Sequence, residues 1–82
     1  KLMNISENVI IVLENQERYI VLNEINYEED KYYLLMGIDN NNDVISSKVV
    51  FIKTINDNDD LYVIKINDEQ LIKNLTKVLK SN

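Results

Sequence analysis

Apolar residues along this chain come in five short blocks, followed by one segment with a different period. The first block, Asn8–Glu14, holds Val9-Ile10-Ile11-Val12-Leu13. The second, Arg18–Ile25, holds Tyr19-Ile20-Val21-Leu22, and the third, Lys31–Ile38, holds Tyr32-Tyr33-Leu34-Leu35-Met36. The fourth, Lys48–Ile55, sets Val49, Phe51 and Ile55 against Val50, Ile52 and Thr54. The fifth, Leu61–Ile66, sets Leu61, Val63 and Lys65 against Tyr62, Ile64 and Ile66. β-Branched and aromatic residues suit a pleated, half-buried surface, so each block predicts a strand.

Polar clusters separate the blocks: Glu28-Glu29-Asp30, Asp39-Asn40-Asn41-Asn42-Asp43 and Asn56-Asp57-Asn58-Asp59-Asp60. The chain has no proline and a single glycine, Gly37. Its turns therefore fall to Asn and Asp, which tolerate left-handed backbone and bond their own main chain. Even spacing with short connections predicts antiparallel pairing in sequence order.

The last segment is helical in pattern. Leu71, Ile72, Leu75, Val78 and Leu79 recur at i, i+1, i+4, i+7 and i+8 and form one apolar stripe, with Lys73, Lys77 and Lys80 off it. Asn67 or Asp68 can cap its start, and Asn67 with Gln70 resembles a capping box. Asp68 and Glu69 early and lysines late suit the helix dipole. The helix is placed at 68–80, and its stripe must cover a sheet face, because a short isolated helix is marginal in water. The predicted fold is thus α+β: an antiparallel β meander of about five strands closed by one C-terminal helix. The predicted domain covers residues 3–82, with Lys1-Leu2 ahead of Met3 read as a tag remnant.

At 82 residues the chain allows one domain with a limited core. Its 45% apolar content argues for folding, despite 28% charged residues. There is neither cysteine nor histidine, which excludes disulfides and a thiolate zinc site and fits a reducing cytoplasm. The longest apolar run is shorter than a signal-peptide core or a membrane span, so a cytoplasmic protein without membrane contact is expected.

The net charge is −5, but residues 24–69 alone carry −7 and residues 70–82 carry +3. Direct nucleic-acid binding needs a basic footprint. The natural complement here is a protein with a basic surface. The candidate contact residues on the acidic side are Glu28, Glu29, Asp30, Asp39, Asp43, Asp57, Asp59 and Asp60.

Catalytic chemistry has little to work with. Ser6, Ser46, Ser47 and Ser81 have no histidine base, and one glycine cannot build a phosphate loop. A calcium loop starting at Asp39 begins well with Asn41 and Asp43. It then places Val44 where glycine is needed and Val50 where a bidentate Glu belongs. No catalytic residue, metal site or cofactor is expected.

Tyrosine combines apolar area with a polar tip and is enriched at interfaces. Tyr27, Tyr32, Tyr33 and Tyr62 are the candidate aromatic contacts, against the ordinary reading that most line the core. Tyr32 and Tyr33 are neighbours and must point to opposite faces of a strand, which leaves room for one of them to be exposed. A meander also leaves edge strands that can pair with another chain. Asn8–Glu14 is the prime candidate for a homodimer, unless it pairs internally with Arg18–Ile25.

From Arg18 onward the order of features resembles a known family. Tyr19-Ile20-Val21-Leu22, Tyr33-Leu34-Leu35 and Asp39 are followed by an acidic loop, the strand Val49–Ile52, Leu61-Tyr62-Val63-Ile64 and Asn67-Asp68-Glu69 at the helix start. This is similar to the YrzB-like small acidic proteins of low-GC bacteria, over roughly residues 9–80. The chain departs from that pattern at Met36-Gly37, where an apolar-proline step is expected, and in being less acidic. The resemblance implies a small non-catalytic cytosolic domain and supplies no catalytic residues. The expected function is a protein-binding or regulatory module. The alternative is a phage-type inhibitor that mimics nucleic-acid charge to block a basic nucleic-acid-binding enzyme.

Overall fold

A computed structural model describes residues 5–13 and 15–81. The proposed tag remnant Lys1-Leu2, Met3 and the Glu14 end of the first predicted strand lie outside the described residues.

Among the described residues, five strands form one curled antiparallel sheet in chain order, followed by one helix. The strands are β1 (Ile10–Val12), β2 (Arg18–Tyr27), β3 (Asp30–Ile38), β4 (Val44–Asp57) and β5 (Asp60–Lys65), and the helix is α1 (Glu69–Lys80). β1 pairs with β2, Ile11 opposite Tyr19. It is shorter than the apolar run that announced it. β4 is longer than expected: Val44–Ser47 continue the strand beyond the predicted start at Lys48.

The turns follow from the residues in them. Asn58 and Asp59 have φ of 50° and 71°, the left-handed pair of a two-residue hairpin. Glu28 and Glu29 adopt the same geometry at 47° and 71°, although glutamate has no short side chain to ease it. Asp39 builds the β3–β4 loop: its carboxylate accepts from Asn41 N at 2.8 Å and Asp43 N at 3.0 Å. Arg18 braces this loop from β2, donating to Asn42 Oδ1 at 2.7 Å and Asp39 O at 3.3 Å.

Two apolar clusters lie on opposite faces. On the concave face are Ile5, Ile11, Tyr19, Val21, Tyr33, Leu35 and Ile52. On the other, Ile25, Tyr32 and Phe51 meet Leu75 of α1, with Leu71, Ile72, Val78 and Leu79 packed around them. The predicted helical stripe is therefore the buried one. Burying a leucine such as Leu75 stabilises the fold by about 1.5–3 kcal/mol.

In sequence, Tyr19, Val21, Ile25 and Tyr27 are all odd-numbered, and an unbroken strand would send them to one face. They serve two faces because β2 bulges: Val21 pairs with Leu35 and Asn23 with Leu34, leaving Leu22 without a partner. One extra residue inverts the alternation, so Tyr19 and Val21 enter one core and Ile25 the other.

Asp68, not Asn67, caps α1, accepting from Gln70 N at 3.0 Å and Leu71 N at 3.3 Å. Gln70 closes no box and bonds Asn74 instead.

Candidate functional site

The meander sorts the eight candidate carboxylates by end. The β2–β3 and β4–β5 turns share one end of the sheet, and the β3–β4 loop lies at the other. Glu28, Glu29, Asp30, Asp57, Asp59 and Asp60 are thereby brought to one end, apart from Asp39 and Asp43. Lysines temper this end: Lys53 Nζ lies 3.2 Å from Asp30 and Lys31 Nζ 2.9 Å from Glu24. Glu24, by hydrogen bond and charge, raises the pKa of Lys31. The Asp39 carboxylate is committed to its own turn.

The four candidate tyrosines also separate. Tyr32 and Tyr33 are both buried, on opposite faces of β3 as neighbours must be, so neither is exposed. Burial, then the charge of Glu24, pushes the Tyr33 hydroxyl pKa up. Tyr27 is half-buried beside α1. Tyr62 is 51% exposed and presents area to solvent.

Around Tyr62 lies the surface that the sequence pattern did not bring forward. β5 pairs with β4 over Ile52–Asp57, and its other side has no neighbouring strand among the described residues. Tyr62, Val63 and Ile64 are all exposed although they alternate between faces. Ile55, opposite Tyr62, extends the patch on the helix side. On the concave side a groove of about 440 Å³ runs between β5 and the β1 end of the sheet, lined by Val12, Leu13, Ile52, Leu61, Tyr62 and Val63 together with the polar Asn15 and Lys65. The edge singled out from sequence, β1, pairs with β2 on one side and is the other end strand of the sheet.

A polar cluster sits at the β1–β2 end of the concave face. Glu17 receives hydrogen bonds from Lys48 Nζ, the Asn15 amide and the Tyr19 hydroxyl, the last at 3.0 Å. The Lys48 ammonium stands 5.5 Å from the centroid of the Tyr19 ring, within cation–π range. The Lys48 bond, then those from Asn15 and Tyr19, lowers the Glu17 pKa from 4.5 to about 2. Glu17 in turn raises that of Lys48. Burial first, then the bond to Glu17, raises the Tyr19 hydroxyl. No sequence signal joins Glu17 to Lys48, because register across three strands creates the pair. Its groups satisfy one another, which suits a structural clasp better than a reactive centre.

Among the described residues, no group of three or more acidic side chains is placed to hold a metal ion, and no helix is long and apolar enough to cross a membrane. No family model, curated protein or solved structure matches the chain.

Proposed function

We propose that this chain is a protein-contact module that accepts an extended segment of another protein along β5 and works by contact, without turnover. One observation carries the reading. Leu61-Tyr62-Val63-Ile64 is an unbroken apolar run, the pattern of a strand covered on both faces inside a sheet. Here that run occupies an edge, with Tyr62, Val63 and Ile64 exposed on both faces beside a groove of mixed polar and apolar lining. Edges are normally blunted by brevity, charge or proline. β1, at three residues, follows that rule, whereas the six residues of β5 carry charge only at their ends, on Asp60 and Lys65. Strand addition to such an edge draws affinity from main-chain bonds and specificity from alternate side chains. The acidic β4–β5 turn at one end of the strand suits a partner with a basic residue there.

A second reading, the acidic inhibitor of a nucleic-acid-binding enzyme, draws on the six carboxylates gathered at one end. The two readings separate in one experiment. The wild type and Val63→Pro serve as bait in a native-cell lysate at low and high salt. Strand addition predicts a partner that survives high salt and is lost with Val63→Pro. Charge mimicry predicts a partner that is kept by Val63→Pro and lost at high salt, because exposed charges are screened.

A further inference from the structure

We infer that the segment β5 accepts is β5 of a second copy, giving a twofold dimer whose sheet runs continuously through both chains. This rests on reading β5 as a pairing edge and adds the identity of the occupant.

The backbone sets the register. Asp57 faces Asp60 across the two-residue turn, and such a closing pair is hydrogen-bonded. Alternation then turns the main-chain groups of Asp60, Tyr62 and Ile64 toward β4. The bond from Ile66 N to Phe51 O, 2.9 Å, continues the series. The N–H and C=O of Leu61, Val63 and Lys65 therefore point to the open side. A twofold axis beside Val63 lets these groups bond their copies and keeps each side chain on its own face.

The side chains of β5 complement their own reversal. The strand leaves an acidic turn, Asp57, Asp59 and Asp60, crosses four apolar residues and ends on Lys65. Antiparallel pairing through Val63 sets Tyr62 of one copy opposite Ile64 of the other, on the helix side where both are exposed. An aromatic against a β-branched residue is a favourable cross-strand pair. The same register sets Lys65 opposite Leu61, its stem on the apolar side chain of the other copy. The groove next to β5 leaves room on the concave side for the incoming Val63 and Leu61. Net charge opposes the dimer at low ionic strength. At physiological salt that repulsion is screened beyond about 8 Å, while the local contacts persist.

Sedimentation equilibrium on the full chain at physiological salt tests this. The edge is short against a standard interface, so a dimer dissociating on the order of 0.1 mM is expected. Val63→Pro removes an outward N–H that β4 does not use and should give a monomer with an unchanged circular dichroism spectrum. Tyr62→Lys and Ile64→Glu should each weaken self-association by roughly tenfold, and mixing the two variants, which sets the new lysine opposite the new glutamate, should restore it. A wild type that is monomeric at about ten times that concentration overturns the inference. So does a dimer indifferent to Val63→Pro, or a mixture no tighter than its parts. A monomeric wild type whose captured partner is nevertheless lost with Val63→Pro overturns the self-pairing alone and leaves strand addition standing. If Val63→Pro alters neither self-association nor capture, both fall.

Discussion

Lys48 fills the space that any side chain at Gly37 would need. A Cβ on Gly37 would stand 2.7 Å from Lys48 Cδ and 3.0 Å from its Cγ. Gly37 is opposite Tyr19 in the β2–β3 ladder, so the missing side chain leaves a channel through which the lysine stem reaches Glu17. The only glycine of the chain thus serves a close approach rather than a turn, and its φ is not positive.

Gly37→Ala should displace the whole Lys48 stem. Overpacking of this kind costs about 1–3 kcal/mol, measurable by urea denaturation. The same variant should lose the shielding of Glu17, seen as a rise in its carboxyl pKa by NMR titration. A variant with unchanged stability and unchanged Glu17 titration would refute the coupling.

The Glu17 pKa sits near 2, below its ordinary 4.5, chiefly through Lys48. A lowered carboxyl pKa stabilises the fold above the unfolded value and loses that contribution as pH falls toward the folded one. The contribution of the clasp to stability is thus full above about pH 4.5 and is lost progressively between there and about pH 2. Lys48→Met should return Glu17 toward the ordinary range. It should also flatten the fall in stability across that window, read from denaturation midpoints at several pH values.

Deletion of Leu22 should leave a folded protein with both faces correctly filled, at a modest loss of stability, and Leu22→Ala should likewise be tolerated. The deletion removes only the unpaired residue: Val21 stays opposite Leu35 and Asn23 opposite Leu34. Ile25 and Tyr27 therefore keep their face, and the strand loses only the local bend and twist of the bulge; loss of the fold would refute this. Circular dichroism and amide dispersion decide between the outcomes.

Glu28→Asn with Glu29→Gly should raise stability by about 1 kcal/mol, since each glutamate holds a left-handed backbone that asparagine and glycine adopt at lower cost. The thermal midpoint should rise. An unchanged midpoint would mean that the turn is not strained.

Much of this architecture was legible from residue order. Five β-branched blocks between Asn- and Asp-rich breaks gave the meander, and Leu71, Ile72, Leu75, Val78 and Leu79 gave the covered face of the helix. Local pattern carries this information because each strand pairs with its neighbour in the chain. The bulge at Leu22 was hidden, since Leu22 is apolar and interrupts no visible pattern. The clasp was hidden because Glu17 and Lys48 are joined only by the stacking of three strands. The exposed edge was also missed. The run Leu61–Ile64 reads as an interior strand, and only the sheet order reveals that it stands last. β1, the equally apolar run singled out from sequence, is the other end strand of the sheet, shorter at three residues.

Sheet order that copies chain order has a consequence for synthesis on the ribosome. No segment must wait for a distant partner, so hairpins can assemble as they emerge, and the low sequence separation of their contacts favours rapid folding. The exception is the face holding Ile25, Tyr32 and Phe51, whose cover, Leu75, is made last. A nascent chain halted before residue 69 would hold a nearly finished sheet with one greasy side bare, and that stage is the natural point for a chaperone to intervene.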